Sequence, residues 1–472
     1  MTSAGPTRGA HKAWHRSAGR VVLLFVAITA GVGCAPTPTS APTTYSGQPG
    51  SETWVAYSPG SLTFEPTAIV QYNGFGTFSW LYTQVGGGPW TACDVTQPAC
   101  TGGLNPLAPG QFNWRGDPAI AAEGRRSGVV VAVNMANSVD HPTDVEPDMV
   151  VAALSTDGGR TFTRSFEVTS GKPCADGNQD QPAIAVDNAT TPPTFYVAWR
   201  NATSGPSGAC VQAFTVDRLN QVINFIGTAT EVTNLDRSPF YGVGGLLLQA
   251  NAGVLTLMYS NTDHRFYDCS SGLEVKWFTT TSTDYGVHWD HNTEIYDTHN
   301  FTWCATSSGV YRGKRDFGFA RGSDGTYWAA VNDTAGTIRI FSTTDPTTAW
   351  TPGPTMILTE AWQPTVVVDE NNTVGVSFFG TDLSDTQISM YFTAKTLTSG
   401  WSLPVSLTAP FGLPAPVPGT VNVELGDFLV NAAVPSAFSP SHGTFLNAWT
   451  DESRFGAGNP EIATTVTRVV PP

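Results

Sequence analysis

Short apolar runs recur along the chain at a nearly constant interval. The clearest copies, residues 117–123, 181–187 and 363–369, begin with a polar residue and a proline, continue through four small or β-branched residues, and end on a carboxylate. Weaker copies begin at Gly244, Arg315 and Gly426. The copies define a repeat of about 62 residues, a length typical of one unit in an array of similar sheets.

Each of these runs is followed by a turn and by further β-rich segments. Residues 194–199 and 374–379 are examples of the second segment, and a third segment recurs after it. No stretch shows a helical apolar period over a useful length. About four strands in about 60 residues is typical of a propeller blade, so the sequence predicts an all-β propeller of four-stranded blades.

The pattern leaves the number of blades open between six and seven. Six is the preferred count, because the last unit shows only three strands and an N-terminal strand from residues 53–82 would complete it and close the ring. Seven is the alternative, since residues 65–70 resemble one more first strand. Blades must stack around the ring, because one blade alone cannot bury both of its faces.

A short motif of the form Ser-x-Asp-x-Gly-x-x-aromatic lies between the third and fourth strands of two units. Its defining residues are Ser155, Asp157, Gly159, Phe162, Ser282, Asp284, Gly286 and Trp289. In this spacing the carboxylate caps N–H groups of the turn, the glycine takes a positive φ, and the ring packs against the hairpin. With these motifs, residues 110–470 resemble the sialidase-like family of Asp-box (BNR-repeat) propellers. The resemblance implies that the Asp boxes hold the fold and lie away from the active site.

The N-terminus resembles an export leader. Four basic residues precede the ten-residue apolar run 21–30, which is too short to span a bilayer and suits a signal peptide over residues 1–33. Gly31 to Cys34 resembles a bacterial lipobox, which implies lipidation of Cys34, with plain secretion as the alternative. Residues 34–50 are rich in Pro, Thr and Ser and are predicted to be an extended tether. The propeller is assigned to residues 51–472, with 51–110 as closing strands and loop and 111–472 as repeated blades.

The charge balance narrows the classes of partner. The formal net charge is −15, and loss of the four leader cations brings the remainder to about −19. Such a body repels phosphate backbones and anionic lipid, so nucleic acid is excluded and membrane contact is expected only through the lipid. We expect a monomer outside the cytoplasmic membrane, anchored to a bacterial cell envelope or secreted.

Six cysteines other than Cys34 fall into three neighbouring pairs. In an oxidising compartment the local pairing is favoured among the 15 that six cysteines allow. The predicted disulfides join Cys93 to Cys100, Cys174 to Cys210, and Cys269 to Cys304.

The family resemblance also implies positions for catalysis. Arg115, three residues before Pro118, resembles the arginine that grips a substrate carboxylate, and Asp140 or Asp144 occupies the place of the acid/base. The family's nucleophilic tyrosine has Leu425 in its place, and no tyrosine follows Tyr391. Arg115 pairing with a neighbouring acid at the blade edge is the alternative interpretation.

A wider set of charged residues is predicted to ring one mouth of the central channel, where first strands begin and second strands end. The set comprises Asp117, Asp180, Arg200, Arg315, Asp316, Asp427, Asp451 and Arg454. Convergent carboxylates and arginines near aromatic rings suit sugar hydroxyls and stacking. The alternative is that these charges join neighbouring blades.

Two functional hypotheses follow for an extracellular glycan partner. In the first, the mouth binds a glycan and hydrolyses it by exo-glycosidase chemistry of the sialidase type; in the second, the propeller is a non-catalytic binding module for protein or glycan. No cofactor or metal is expected, with calcium as the alternative. Residues 176–180 have oxygen-bearing side chains at alternate positions, as at the start of an EF-hand calcium loop, but the downstream glutamate of such a loop is absent.

Overall fold

A computed structural model describes residues 35–470, with gaps inside this range. The residues outside the description are 62, 75–78, 95–111, 126, 139–148, 170–173, 175–177, 203–207, 234, 237–242, 263–272, 302–309, 312–316, 334–335, 357, 359, 382–386, 413–422, 425–428, 435–442 and 452–460. No helix in the described part of the chain is long and apolar enough to cross a membrane.

The first four blades follow one another directly along the chain. The chain starts with β1 (Thr37–Ser40) and β2 (Thr44–Ser58). Blade 1 consists of the second half of β2 with β3 (Thr67–Gly74), β4 (Ser79–Val85) and β5 (Trp90–Asp94). Blade 2 consists of β6 (Phe112–Ala122), β7 (Val130–Ser138), β8 (Met149–Ser155) and β9 (Arg164–Glu167). Blade 3 consists of β10 (Asn178–Asp187), β11 (Thr194–Ala202), β12 (Gly208–Asp217) and β13 (Val222–Glu231). Blade 4 consists of β14 (Val243–Asn251), β15 (Val254–Thr262), β16 (Leu273–Ser282) and β17 (Thr293–Phe301).

The last three blades include several two-residue strands. After β18 (Val310–Tyr311), blade 5 consists of β19 (Phe317–Arg321), β20 (Tyr327–Asn332), β21 (Ile338–Thr343) and β22 (Thr351–Met356). Blade 6 consists of β23 (Ala361–Val368), β24 (Val374–Thr381), β25 (Gln387–Lys395) and β26 (Val405–Ser406), with β27 (Phe411–Gly412) also paired to β25. The short β28 (Val423–Glu424) pairs in parallel with β18. Blade 7 consists of β29 (Leu429–Val430), β30 (Ala432–Ala433), β31 (Thr444–Asp451) and β32 (Glu461–Val470), and its outer edge comes from β1 and the first half of β2.

Seven blades of mainly antiparallel strands form a β-propeller, and β2 joins blades 7 and 1 into one nine-stranded sheet, in which it also pairs in parallel with β29. The first strand of each blade contacts the first strands of the blades before and after it, from β2 through β6, β10, β14, β19 and β23 to β29 and back to β2. The all-β propeller of four-stranded blades is therefore confirmed, with seven blades rather than the preferred six. Residues 65–70 do belong to a further blade, but they begin its second strand, β3, because residues 50–58 form the first.

The ring is closed by the segment that the sequence predicted to be a tether. Thr37 pairs with Val470, and Thr44 pairs with Thr464, so residues 37–45 lie along the free edge of β32. The tether prediction is wrong for these residues. Proline is tolerated there because an edge strand has a neighbour on one side only, so that only every second backbone N–H group must donate a hydrogen bond. Threonine favours extended backbone. The hydroxyl of Thr465 donates to the carbonyl of Ala41 at 2.7 Å.

The core lies between the faces of neighbouring blades. Four tryptophans on blades 3, 4, 6 and 7 are essentially inaccessible to solvent: Trp199, Trp277, Trp362 and Trp449. The largest apolar cluster extends through blades 1 to 5, so each blade is buried by its neighbours rather than by its own strands. This packing explains how a repeat of strand-length apolar runs buries its apolar residues between blades.

The polar residue that opens each clear repeat has a conformational reason. Asp117, Gln181 and Gln363 have φ of 51°, 49° and 47°, and each lies at a β-bulge near the start of its blade's first strand. Glu52 has φ of 54° and a register shift at the same place in blade 1. The bulge bends the strand where it reaches the end of the channel, hereafter the mouth end.

Candidate functional site

The two predicted Asp boxes form turns between the third and fourth strands of blades 2 and 4. The Ser155 hydroxyl accepts the N–H of Gly159 at 2.9 Å and donates to Asp157 Oδ1 at 2.8 Å. Asp157 Oδ1 in turn accepts the N–H of Thr161 at 2.9 Å, and Phe162 is buried. These turns lie at the end of the propeller opposite the mouth end, hereafter the turn end.

The second box repeats this hydrogen-bond pattern. Ser282 Oγ accepts the Gly286 N–H at 2.9 Å, and Asp284 Oδ1 accepts the His288 N–H at 2.9 Å. The buried Trp289 donates its indole N–H to the carbonyl of Gly286 at 2.8 Å. Every defining residue of both boxes is therefore engaged in the turn itself.

The box of blade 4 predicts a measurable acid sensitivity. The backbone hydrogen bond from His288 lowers the pKa of Asp284 to about 2, despite the opposing effect of desolvation. A depressed carboxyl pKa stabilises the fold above the unfolded value near 4 and loses that contribution as pH falls toward 2. We expect Asp284→Asn to lower the free energy of unfolding at pH 6 by up to about 1 kcal/mol, because the side chain is partly exposed.

The test for Asp284 is urea unfolding of both proteins from pH 6 down to pH 2.5. The difference between them should shrink across pH 4 to 2. Glu294→Gln serves as the matched control, since the Glu294 carboxylate makes no hydrogen bond or ion pair within the described residues. A difference for Asp284→Asn that stays constant across this range would contradict the assignment.

The predicted mouth residues whose side chains the structure describes lie on blades 2 and 3. Arg115 is half-buried on β6, between Trp114, which pairs with Ala136, and the bulge at Gly116. Asp117 is buried, and its Oδ2 accepts the N–H of Gln181 on blade 3 at 3.1 Å. Asp117 therefore joins two blades.

Asp180 and Arg200 form an ion pair within blade 3. The Arg200 Nη1 to Asp180 Oδ2 distance is 2.6 Å, and the two side chains are 14% and 18% exposed. Arg200 Nε also donates to the carbonyl of Val243 on blade 4 at 2.9 Å. The sequence predicted that these residues belong to a substrate site, and the structure shows that Arg200 connects blade 3 to blade 4.

Two polar residues that the sequence analysis missed extend this line onto blade 1. The Asn73 amide donates to the carboxylate of Glu52. Asn73 lies so close to Gly116 that a Cβ added there would be 3.0 Å from its Oδ1. Glu52 occupies the bulge position of Asp117 and Gln181, but no proline follows it, so the repeat pattern did not reveal it.

We name the resulting group the mouth arc: Glu52, Asn73, Arg115, Asp117, Asp180 and Arg200. Glu52 and Asp117 are buried, whereas Asn73, Arg115, Asp180 and Arg200 are partly exposed. The arc thus offers guanidinium, carboxylate and amide groups from three successive blades at one end of the channel. Hydrogen bonds within blades 1 and 3 and between neighbouring blades hold members of the arc, which suits the binding of a polyhydroxylated ligand.

Several predicted site residues lie outside the described residues. They are Cys34, Cys100, Asp140, Asp144, Cys269, Cys304, Arg315, Asp316, Asp427 and Arg454. Cys93 and Asp451 lie in β5 and β31, and only their backbone is described. Cys174 and Cys210 form the disulfide that the spacing favoured, with Cα atoms 5.9 Å apart. Among the described residues there is no cluster of three metal-ligating side chains.

Fold and site together define a seven-bladed β-propeller with Asp-box turns and a polar channel mouth. No family model matches the chain, and no curated protein does. Among solved structures, the chain is similar to the Hadza microbial sialidase Hz136, with 14% identity over 85% of this chain and 76% of that one and a TM-score of 0.43. It is also similar to the α-L-arabinofuranosidase Arb93A from Fusarium graminearum, with 14% identity over 76% and 93% and a TM-score of 0.42. A third is the Aleuria aurantia lectin, with 14% identity over 79% and 99% and a TM-score of 0.39. These values are too low to indicate a shared activity.

Proposed function

We propose that this protein is an extracellular glycan-binding propeller that holds its ligand at the channel mouth. The observation that carries the proposal is the mouth arc, in which charged and amide groups of blades 1 to 3 are held by hydrogen bonds within and between blades. Groups held in place before binding lose little conformational entropy when a sugar replaces their water. Arg115 is the expected anchor, because a guanidinium binds a carboxylate or paired hydroxyls through two hydrogen bonds.

Binding is favoured over hydrolysis by the chemistry of the arc. Asp117 and Asp180 already accept hydrogen bonds from neighbouring backbone and from Arg200, so neither is placed as a general acid. At the position of the family's nucleophile the chain has Leu425. Hydrolysis would require Asp140 or Asp144 to act with Arg115. It is the second candidate because Arg115, these aspartates and the first Asp box follow one another in the order that the family resemblance implies.

We further infer that the chain is exported and held at the outer face of the cell envelope by lipid on Cys34. The basic leader, the ten-residue apolar run and the Gly31–Cys34 sequence support this inference, and the Cys174–Cys210 disulfide is compatible with an oxidising compartment. The closing strand begins at Thr37, so only residues 35 and 36 separate the lipid from the propeller.

A glycan array tests the binding proposal. The chain from residue 35 onward, which contains all the described strands, is expected to bind a subset of glycans, and Arg115→Gln is expected to weaken that binding about tenfold or more. Arg218→Gln, an exposed arginine in the β12–β13 turn, is the matched control. The proposal would be contradicted if Arg115→Gln bound glycans as tightly as the unmodified chain, or if the unmodified chain bound no glycan.

Hydrolysis is tested separately on a panel of fluorogenic glycosides that includes sialosides. We expect no turnover. Turnover that disappears in Asp140→Asn or Asp144→Asn would instead establish the second candidate and identify its acid.

A further inference from the structure

A cavity of about 470 Å³ lies at the junction of blades 7 and 1, hereafter the seam pocket. Its walls include Tyr57 and Gln84 from blade 1 and Leu446 and Arg468 from blade 7. It opens at the turn end, because Tyr57 lies where β2 leaves the channel for the turn to β3. The pocket is therefore separate from the mouth arc, and its volume is within the range of small-molecule sites.

One side of the seam pocket is apolar and the other carries polar groups. Ala68 and Leu446 are buried beneath it, and Val434 and Val466 are partly buried beside them. Burial raises the pKa of Tyr57 to about 12, so its phenol stays protonated at neutral pH. A tyrosine ring above an apolar floor suits the C–H face of a sugar ring.

The guanidinium of Arg468 in the seam pocket has no side-chain partner among the described residues that would compete with a ligand. Arg468 is exposed on β32, and its guanidinium makes no hydrogen bond or ion pair within the described part of the chain. Its backbone pairs with Thr39 and Thr444 in the sheet, and its carbonyl also accepts the hydroxyl of Thr39 at 3.4 Å. The guanidinium is therefore available for a ligand carboxylate.

The acceptors of the seam pocket suit hydroxyl groups better than an ammonium group. Gln84 donates its amide N–H to the Gly88 carbonyl at 2.8 Å, which leaves its Oε1 as a neutral acceptor. The Glu65 carboxylate lies 3.8 Å from the guanidinium of Arg160 in the Asp box of blade 2, so part of its charge is already compensated. A ligand with hydroxyl donors gains from both groups.

We propose that the seam pocket binds a monosaccharide-sized acidic sugar, a ring that carries one carboxylate and several hydroxyls. Arg468 binds the carboxylate, Gln84 and Glu65 accept hydrogen bonds from hydroxyls, and Tyr57 covers the apolar face. Such a ligand contacts blade 1 and blade 7 together. Since it bridges the two ends of the ring, it stabilises the closed propeller in proportion to its occupancy.

Calorimetric titration of the chain from residue 35 onward with methyl β-D-glucuronide and with neutral methyl β-D-glucoside tests this site. We expect saturable binding of the glucuronide, at least tenfold weaker binding of the glucoside, and a thermal midpoint that rises with glucuronide concentration. Arg468→Gln is expected to abolish the preference for the acid. The change concerns an exposed side chain and leaves the backbone pairing of β32 in place.

Two control variants separate the seam pocket from the mouth. Arg218→Gln should bind the glucuronide as the unmodified chain does. In a chain that carries Arg115→Gln, where any binding at the mouth is weakened, the preference for the glucuronide should persist and should still disappear when Arg468→Gln is added, so failure of the mouth proposal leaves this test intact. Equal binding of acid and neutral glycosides, or unchanged binding by Arg468→Gln, would overturn the proposal. Preferential binding of a free amino acid over the glucuronide would overturn the assignment to sugars.

Discussion

Deletion of residues 35–50 is expected to open the propeller at the seam between blades 7 and 1. The deletion removes β1 and the first half of β2, whose seven backbone pairings cover the outer edge of β32. A net contribution of about 0.5 kcal/mol for each lost hydrogen bond gives a loss on the order of 3 kcal/mol in the free energy of unfolding. The uncovered edge of β32 also exposes a row of unpaired N–H and C=O groups, which favours association between chains.

Thermal unfolding and size-exclusion chromatography measure the two effects of the deletion. The reference is the chain from residue 35, and the shortened chain should unfold at lower temperature and form dimers or larger species. A synthetic peptide of residues 35–50 should restore both properties when it is added, because the same pairings form without a covalent link. A shortened chain that stays monomeric with an unchanged midpoint would show that these residues do not close the ring.

The fold was largely predictable because each blade repeats one pattern. The polar–proline start and the terminal carboxylate of residues 117–123, 181–187 and 363–369 correspond to a bulge and to a strand end in the structure. Blade 1 was only the alternative, and its first strand was misplaced to residues 65–70, because the actual first strand has Glu52 at the bulge without a following proline. The closing strand was missed because its Pro/Thr/Ser composition is that of a linker, and only the free edge of β32 makes it a strand.

The site was less predictable, because side-chain partners depend on contacts between distant blades. Spacing alone placed Asp180 and Arg200 at the mouth, but it did not reveal that they pair with each other and reach Val243. The seam pocket had no sequence signal at all. Its walls come from residues nearly 400 positions apart, such as Gln84 and Arg468, which only ring closure brings together.

A second carboxylate feature, at the turn end, predicts a large loss of stability from one substitution. Asp187 is fully buried at the end of β10, and its Oδ1 accepts the N–H of Ala189 in its own turn at 2.8 Å. The same carboxylate reaches blade 4, where it accepts the N–H groups of Ala252 at 3.0 Å and Gly253 at 2.7 Å. These two residues have φ of 52° and 81° in the β14–β15 turn, so Asp187 also holds a strained turn in place.

Asp187→Ala is expected to lower the free energy of unfolding by about 3 kcal/mol, because three backbone N–H groups lose a charged acceptor that is itself buried. Asp217→Ala is the matched control, because Asp217 is partly exposed and its carboxylate accepts the N–H groups of Leu219 and Asn220 in its own turn. Within the described residues this carboxylate makes no hydrogen bond to another blade. Urea unfolding should separate the two variants, and hydrogen exchange should accelerate at the amides of Ala252 and Gly253 only in Asp187→Ala. Equal stability of the two variants would show that this carboxylate caps its own turn and does not join the blades.

Asp369 makes the same kind of contact at a second junction, where it accepts the N–H of Gly443 on blade 7 at 2.8 Å. Because the two junctions are distant from each other, the effects of Asp187→Ala and Asp369→Ala on the free energy of unfolding should be additive.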